Sequence, residues 1–148
     1  MALFLPDANV LIHALRKDSV EHDSCRRWLT STAAAGDAIG LCELVEVALL
    51  RIPTLPKLQL VPMAETLGFW KEDLWSYPGT RRLAAGTRHT GIFSDFITGL
   101  GLCGDDINDV WLAALAIEHR ATLVSTDQGF AHFPGLSWIN PVNPLSGS

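Results

Sequence analysis

The chain has 148 residues, of which 48% are hydrophobic and 18% are charged, and its net charge is −5. This composition excludes a disordered chain, and no apolar run reaches the roughly 20 residues that span a bilayer. We expect one domain over residues 1–148. The N-terminus has no basic start and Asp7 interrupts its apolar stretch, so it does not resemble a signal peptide and predicts a cytoplasmic protein.

The three cysteines, Cys25, Cys42 and Cys103, are far apart in the sequence and form no CxxC pair. A zinc site or a disulfide framework is therefore not expected, and all three are predicted to be reduced. We expect Cys42 and Cys103 to be buried as small apolar side chains.

Short apolar runs alternate with amphipathic stretches along the first half of the chain. The amphipathic pattern is clearest where Leu67, Trp70 and Leu74 recur at spacings of three and four residues, which is typical of a helix. The predicted elements are a strand at 3–6, helices at 9–17 and 20–34, a strand at 38–42, and helices at 43–51 and 63–76.

The second half of the chain continues the same alternation. The predicted elements are a strand at 81–85 (RRLAA), helices at 94–102 and 106–120, and strands at 121–125 (ATLVS) and 136–140 (LSWIN). The strands are apolar throughout and are separated by helices, which favours a parallel sheet covered on both faces. With right-handed crossovers, this order predicts an α/β fold, a three-layer α/β/α sandwich with a central parallel sheet.

Four acidic residues follow the carboxyl ends of these strands or begin the helices after them: Asp7, Glu43, Asp109 and Asp127. In a parallel α/β sheet, ligands bind beyond the carboxyl ends of the strands. We therefore expect the four carboxylates to converge at one rim of the sheet.

Converging carboxylates need a counter-charge, because their mutual repulsion would otherwise raise several of their pKa values. Mg²⁺ or Mn²⁺ held by carboxylates and water would supply it, and such an ion activates water toward a phosphoryl group. The predicted chemistry is phosphodiester hydrolysis. The sequence has no GxSxG or Walker A motif, and no GxGxxG after a strand, that would favour another reaction.

Each acid also has an ordinary structural interpretation. Asp7 is placed to cap the next helix, and Glu43 would be favoured at a helix N-terminus by the helix dipole. Asp106 and Asp109 stand at capping-box spacing, so one of them is expected to be a cap. Asp127 precedes Gln128-Gly129 and would suit a turn.

The residues match a known family. DANVLIHA, Glu43 with Arg51 eight residues later, and NDVWLAALAIEHRATLVSTDQGFAHFPGLSWINP closely resemble PIN-domain ribonucleases, and more narrowly the toxin of VapBC toxin–antitoxin pairs. The resemblance covers nearly the whole chain and is most specific over 104–141. It implies a Mg²⁺- or Mn²⁺-dependent endoribonuclease that cleaves RNA, is neutralised by a cognate antitoxin and commonly forms a homodimer.

The resemblance also assigns roles to particular residues. The catalytic and metal-binding acids it implies are Asp7, Glu43, Asp109 and Asp127. Asn9 and Ser125 would support them by hydrogen bonds from a second layer. The sequence GDDIND departs from the family pattern by supplying two extra acids, of which Asp106 could share the role of Asp109.

Basic residues occur in small clusters despite the net negative charge, which alone argues against a broad phosphate-binding surface. Five of them are predicted to guide the RNA backbone: Arg16, Lys17, Arg81, Arg82 and Arg88. Two other classes remain open, a phosphatase-like domain built on an acid cluster and a PIN-like scaffold that binds RNA or protein without catalysis. A haloacid-dehalogenase-type phosphatase would need an aspartate where this chain has Asn9.

Overall fold

Five parallel strands form one sheet in the computed structural model, which describes residues 1–143. The strands are β1 (Leu3–Pro6), β2 (Ala38–Leu41), β3 (Thr80–Arg82), β4 (Thr122–Val124) and β5 (Trp138–Ile139). Their order across the sheet is β3-β2-β1-β4-β5, so β1 is central and β3 and β5 are the edges. The chain therefore crosses from one side of β1 to the other between β3 and β4.

Helices connect the strands and cover the sheet, which confirms the predicted α/β/α sandwich. They are α1 (Ala8–Leu15), α2 (His22–Ala34), α3 (Glu43–Arg51), α4 (Met63–Gly68), α5 (His89–Leu100) and α6 (Ile107–Glu118). A π-helix (Phe69–Leu74) continues α4, and 3₁₀ turns cover Gly104–Asp106 and Gln128–His132. Residues from α1, α3, α6 and the central strands bury the apolar core between them.

Some predicted boundaries were wrong by several residues. The first helix ends at Leu15, because Arg16 has an extended backbone, whereas the prediction ran to residue 17. The single predicted helix over 63–76 is an α-helix followed by a π-helix. The third strand covers Thr80–Arg82 and not 81–85.

Helix α5 begins at His89, five residues before the predicted start at 94. The reason is tertiary: the Glu118 carboxylate accepts hydrogen bonds from the backbone N–H groups of Gly86 (2.7 Å), Arg88 (3.0 Å) and His89 (3.0 Å). Burial alone would raise the pKa of Glu118, but these three donors lower it below its usual value. A glutamate on α6 thus fixes the segment that begins α5, which no local pattern near residue 89 reveals.

The cysteines are free, as predicted, but their burial differs from the expectation. Cys25 and Cys42 are buried, and burial is the largest cause that raises their thiol pKa values to about 12 and about 11. The prediction that Cys103 is buried was wrong, because Cys103 lies in the extended connection after α5 and is exposed.

No helix among residues 1–143 is long and apolar enough to cross a membrane. The prediction of one domain over 1–148 stays a prediction, since its last five residues lie outside the described part of the chain.

Candidate acidic active site

Three of the four predicted acids interact at the carboxyl edge of the sheet. Asp7 follows β1, Asp127 follows β4 and begins a 3₁₀ turn, and Asp109 lies in the first turn of α6. The negative charges of Asp7 and Asp127 both act on the carboxyl group of Asp109. Segments that are far apart in the sequence therefore bring their carboxylates together at this edge.

Asp7 is held in place by its backbone and by both of its carboxylate oxygens. Its N–H donates to the carbonyl of Val124 (2.8 Å), which extends the pairing of β1 with β4. Oδ1 accepts from the N–H of Ala8 (2.7 Å), so Asp7 caps α1 as its ordinary structural interpretation predicted. Oδ2 accepts from the hydroxyl of Ser125 (2.9 Å) and the amide of Asn9 (3.3 Å).

Ser125 and Asn9 form a small hydrogen-bond network behind Asp7. The Ser125 hydroxyl also accepts from the Asn9 amide (3.2 Å) and from the N–H of Asp127 (3.1 Å). The Asn9 carbonyl oxygen accepts from the N–H of Thr126 (3.3 Å). The network therefore links the ends of β1 and β4 and fixes the direction in which the Asp7 carboxylate points.

Replacing Ser125 with alanine tests this network. We expect a loss of about 1–2 kcal/mol in the free energy of unfolding, because the buried hydroxyl makes three hydrogen bonds that alanine cannot replace. The pKa of Asp7 should rise further, since Ser125 is the donor that lowers it most. Urea unfolding and an NMR titration of the Asp7 carboxyl measure the two effects. Ser137→Ala, an exposed serine, is the matched control; equal results for both variants would contradict the network.

The pKa of Asp7 is raised despite these donors. Burial is the largest cause, the hydrogen bonds from Ser125 and Ala8 oppose it, and the charge of Asp127 adds to it. A carboxylate with several donors but a raised pKa lies in surroundings that do not compensate its full charge.

The negative charge of Asp109 is compensated even less than that of Asp7. Its half-buried carboxyl group has a pKa raised to about 6, first by burial and then by the charges of Asp7, Asp127 and Asp106. It has no hydrogen-bond or ion-pair partner among residues 1–143. The acid site thus has a surplus of negative charge that the described residues leave uncompensated.

Glu43 lies near the N-terminal turn of α6. It is exposed at the start of α3 and lines a cavity of about 630 Å³ together with Ile107 and Asn108. Asp109 and Asp127 line a different cavity of about 370 Å³. Charge interactions thus link Asp7, Asp109 and Asp127, while the place of Glu43 in the acidic site stays a prediction.

The chemistry of the site fits a hard divalent cation held by few protein ligands. Among residues 1–143, no group of three acidic, histidine or cysteine side chains is arranged to hold a metal ion. Mg²⁺ needs no such group, because it usually binds through one or two carboxylates and keeps several waters or substrate phosphates. The pKa values of Asp7 and Asp109 are raised because their negative charges are poorly compensated, and such a cation would supply the missing positive charge.

The structural roles expected for Asp127 and for the pair Asp106 and Asp109 have different outcomes. Asp127 does suit a turn, since its Oδ1 accepts from the N–H of Gly129 (2.8 Å). Asp106 occupies the N-cap position of α6, as expected for one of the two acids, but its side chain makes no capping hydrogen bond. Both carboxylates are therefore available to a ligand in the acidic cavity.

The predicted RNA-guiding residues differ in their surroundings. Lys17, Arg81 and Arg88 have exposed side chains, and Arg16 contacts the exposed Asp18 at 3.3 Å. Arg82 instead forms an ion pair with Glu46, whose side chain is only 5% exposed. The charge of Arg82 is thus already compensated within the protein, and the RNA-guiding role of all five residues stays a prediction.

Two features of the site region were not predicted. Glu46 binds both terminal nitrogens of Arg82, and its Oε2 accepts from the indole N–H groups of Trp70 (2.7 Å) and Trp75 (3.3 Å). His132 lines the acidic cavity together with Asp109 and Asp127. The spacing of Glu46 three residues after Glu43 was a signal in the sequence, but the partners of Glu46 come from distant segments.

The strand order and the acidic edge define an α/β/α protein with a cluster of carboxylates at the carboxyl edge of its parallel sheet. Comparison with known proteins identifies the family. The family model described as PIN domain matches residues 4–136, and the chain belongs to this family.

Named relatives are similar over almost the whole chain. The chain is 32% identical over 136 residues to Ribonuclease VapC37 of Mycobacterium tuberculosis, covering 91% of this chain and 94% of the relative. It is 34% identical over 138 residues to Ribonuclease VapC43 of the same organism, covering 93% and 94%.

Solved structures share the fold at lower identity. The structure of VapBC2 from Rickettsia felis bound to a DNA fragment from their promoter matches with a TM-score of 0.70 at 20% identity, covering 93% of this chain and 98% of that chain. DNA-bound VapBC from Salmonella typhimurium matches with a TM-score of 0.68 at 15% identity, covering 95% and 99%.

Proposed function

We propose that this chain is a divalent-cation-dependent endoribonuclease, the toxin of a VapBC-type pair. Membership of the PIN domain family and the relatives named as VapC ribonucleases support this function. The observation that carries it is the carboxyl group of Asp109, which has no hydrogen-bond or ion-pair partner among residues 1–143 and a pKa raised to about 6 beside Asp7 and Asp127. A divalent cation would compensate this negative charge.

The cation is Mg²⁺ or Mn²⁺, and the acids that would hold it are Asp7 and Asp109. Glu43 and Asp127 would complete the acidic surroundings, directly or through water. When bound, the ion supplies Lewis acidity toward a phosphoryl oxygen and lowers the pKa of a water molecule. This chemistry matches the hydrolysis of an RNA phosphodiester without a covalent intermediate on the protein.

The chain's own contribution is orientation. Ser125 and Asn9 hold Oδ2 of Asp7, and the N–H of Ala8 holds Oδ1, so the carboxylate has a fixed direction before any ligand arrives. Among residues 1–143 Asp109 has no such donors, so both of its carboxylate oxygens are open to a ligand. Basic residues then guide the RNA backbone toward the acidic rim: Arg16, Lys17, Arg81, Arg82 and Arg88.

The partners follow from the same comparison. The matched structures are VapBC complexes, so we propose a cognate antitoxin for this chain and, as the resemblance implies, a homodimer. An antitoxin arginine would compensate the acidic rim as a cation does. The cytoplasmic location predicted from the sequence is part of this proposal.

The phosphatase alternative is disfavoured by Asn9. A phosphatase of that type uses a second aspartate at this position, whereas the Asn9 side chain donates to Asp7 and accepts from the N–H of Thr126. Asn9 is thus fully used in holding the ends of two strands together.

Cleavage of RNA by the purified chain tests the proposal. Wild type with Mg²⁺ or Mn²⁺ should cut a labelled RNA, and chelation of the ion or Asp7→Asn should abolish the cutting. Asp105→Asn, an exposed acid near the same rim, should retain activity and controls for charge loss. RNA cleavage that persists after chelation of the ion, or that the Asp7→Asn variant still performs, would refute the mechanism. A folded wild type that does not cleave RNA would favour a non-catalytic scaffold.

A further inference from the structure

A cavity of about 630 Å³ lies beside the acid site, on the other side of the first turn of α6. Its volume is within the range of sites that bind small molecules, roughly 300–1,000 Å³. Ile107 and Asn108 line this cavity, while Asp106 and Asp109 line the acidic one. A group bound here would therefore lie next to a phosphate at the acidic rim.

The walls of this cavity combine apolar, aromatic and amide groups. Leu44, Val47 and Ala48 of α3 contribute apolar side chains, and Trp111 and Asn108 of α6 contribute an indole and an amide. An amide side chain can both donate and accept hydrogen bonds. The lining thus suits a flat, neutral group with polar edges.

The charges around the cavity balance. Arg82 lines it, but Glu46 binds both terminal nitrogens of its guanidinium, which also lies 5.3 Å from the ring centroid of Trp75. Glu43 and Arg51, which also line the cavity, carry opposite charges. A cavity without excess positive charge is poorly suited to a phosphate group or an acidic peptide and well suited to a nucleobase.

We propose that this cavity binds one nucleobase of the substrate RNA, from a nucleotide next to the scissile phosphate. The inference rests on the proposed ribonuclease function and adds a specificity site to it. The base packs on the apolar wall and Trp111, because every base has a face that stacks on an aromatic ring. Asn108 contacts its hydrogen-bonding edge and so contributes to the choice of base.

Abasic substitution of the substrate locates the bound base. Short RNAs with a single cleavage site are made with one abasic nucleotide at each position flanking the cut. At one position the abasic substrate should lose about tenfold or more in kcat/KM, as expected when a stacked base is removed. The other positions should change little.

Filling the cavity gives an independent test. Ala48→Met and Ala85→Met each place a larger side chain on its lining. Both should lower kcat/KM about tenfold for the intact RNA and match wild type on the RNA that is abasic at the sensitive position. Ala34→Met, at an exposed alanine of α2, is the control and should behave as wild type on both RNAs.

The outcomes separate this inference from the proposed function. If wild type cleaves every abasic RNA as well as the intact one, the base site is refuted while the ribonuclease function stands. If the filled variants lose activity equally on intact and abasic RNA and change their sedimentation, the cavity is an interface between copies or with a partner protein, and the inference is wrong. Absence of cation-dependent cleavage by wild type would instead refute the function itself.

Discussion

Asp109→Asn is expected to lower kcat/KM for RNA cleavage by about three orders of magnitude while making the cation-free protein more stable. The loss follows because removing one of the few carboxylates proposed to hold the cation forfeits about 4 kcal/mol of transition-state stabilisation. The gain follows because Asp109 has a raised pKa and no hydrogen-bond or ion-pair partner in the described part of the chain, residues 1–143. One substitution should therefore move activity and stability in opposite directions.

The stability gain has a defined pH dependence. The pKa of Asp109 is about 6 in the folded protein and lies near its ordinary value of 3.8 in the unfolded chain. The folded state therefore binds the proton more tightly, and the cost of ionising Asp109 is fully present above pH 6. As the pH falls from 6 toward 4 this cost disappears. Because the group is partly solvated, we expect about 1 kcal/mol at pH 7.5 and almost none near pH 4.

Urea unfolding of the cation-free proteins at these two pH values measures the effect. Asp105→Asn removes the same charge from an exposed acid that does not act on Asp109, and it should change stability little at either pH. Mg²⁺ should stabilise wild type more than Asp109→Asn, since only a ligand that binds the folded state adds stability. A variant that is less stable than wild type at pH 7.5 would contradict the uncompensated charge.

The placement of the acids was predictable because it depends on two regular features of the sequence. Continuous apolar runs identified the strands, and parallel strands align their carboxyl ends at one edge. Asp7 and Asp127 follow β1 and β4, which pair directly, so their proximity follows from strand order. Glu43 follows β2, which pairs with β1 on its other side, and it lines the neighbouring cavity. Which cavity the Glu43 side chain lines depends on packing and not on the local pattern.

The features that were missed all depend on contacts between distant segments. Helix α5 starts early because Glu118, about 30 residues later, caps its first turn. The π-helix after α4 places Trp70 and Trp75 so that both indoles reach Glu46. A helical periodicity of three and four residues predicts one regular helix here and cannot show where the winding changes.

Glu46→Ala should be among the most destabilising single substitutions in this chain, with a loss of about 3 kcal/mol in the free energy of unfolding. Its carboxylate, 5% exposed, is the common acceptor for Arg82 of β3 and for Trp70 and Trp75 beside it. Removing it leaves three donors without their acceptor and disconnects α3 from the edge of the sheet. Chemical unfolding monitored by tryptophan fluorescence reports the loss.

A double-mutant cycle with Arg82→Ala separates the ion pair from the indole bonds. Arg82→Ala leaves a buried carboxylate without its counter-charge, so it should also cost about 2–3 kcal/mol. The double variant should lose clearly less than the two single losses together, because neither unpaired charge remains. Glu72→Ala, at an exposed glutamate of the π-helix, is the control and should stay within about 0.5 kcal/mol of wild type. Additive losses would show that Glu46 and Arg82 are energetically independent.

Arg82→Lys distinguishes the geometry of the pair from its charge. Lysine retains the positive charge, but it cannot bind both carboxylate oxygens in the forked arrangement of a guanidinium, and it loses the stacking on Trp75. We expect a stability between those of wild type and Arg82→Ala. Because Arg82 also lines the 630 Å³ cavity, this variant should alter the preference for the nucleotide beside the cut more than Glu72→Ala does. The ion pair between Glu46 and Arg82 thus stabilises the edge of the sheet and also neutralises the guanidinium that lines the proposed base site. This neutralisation is the condition for a base, and not a phosphate, to bind there.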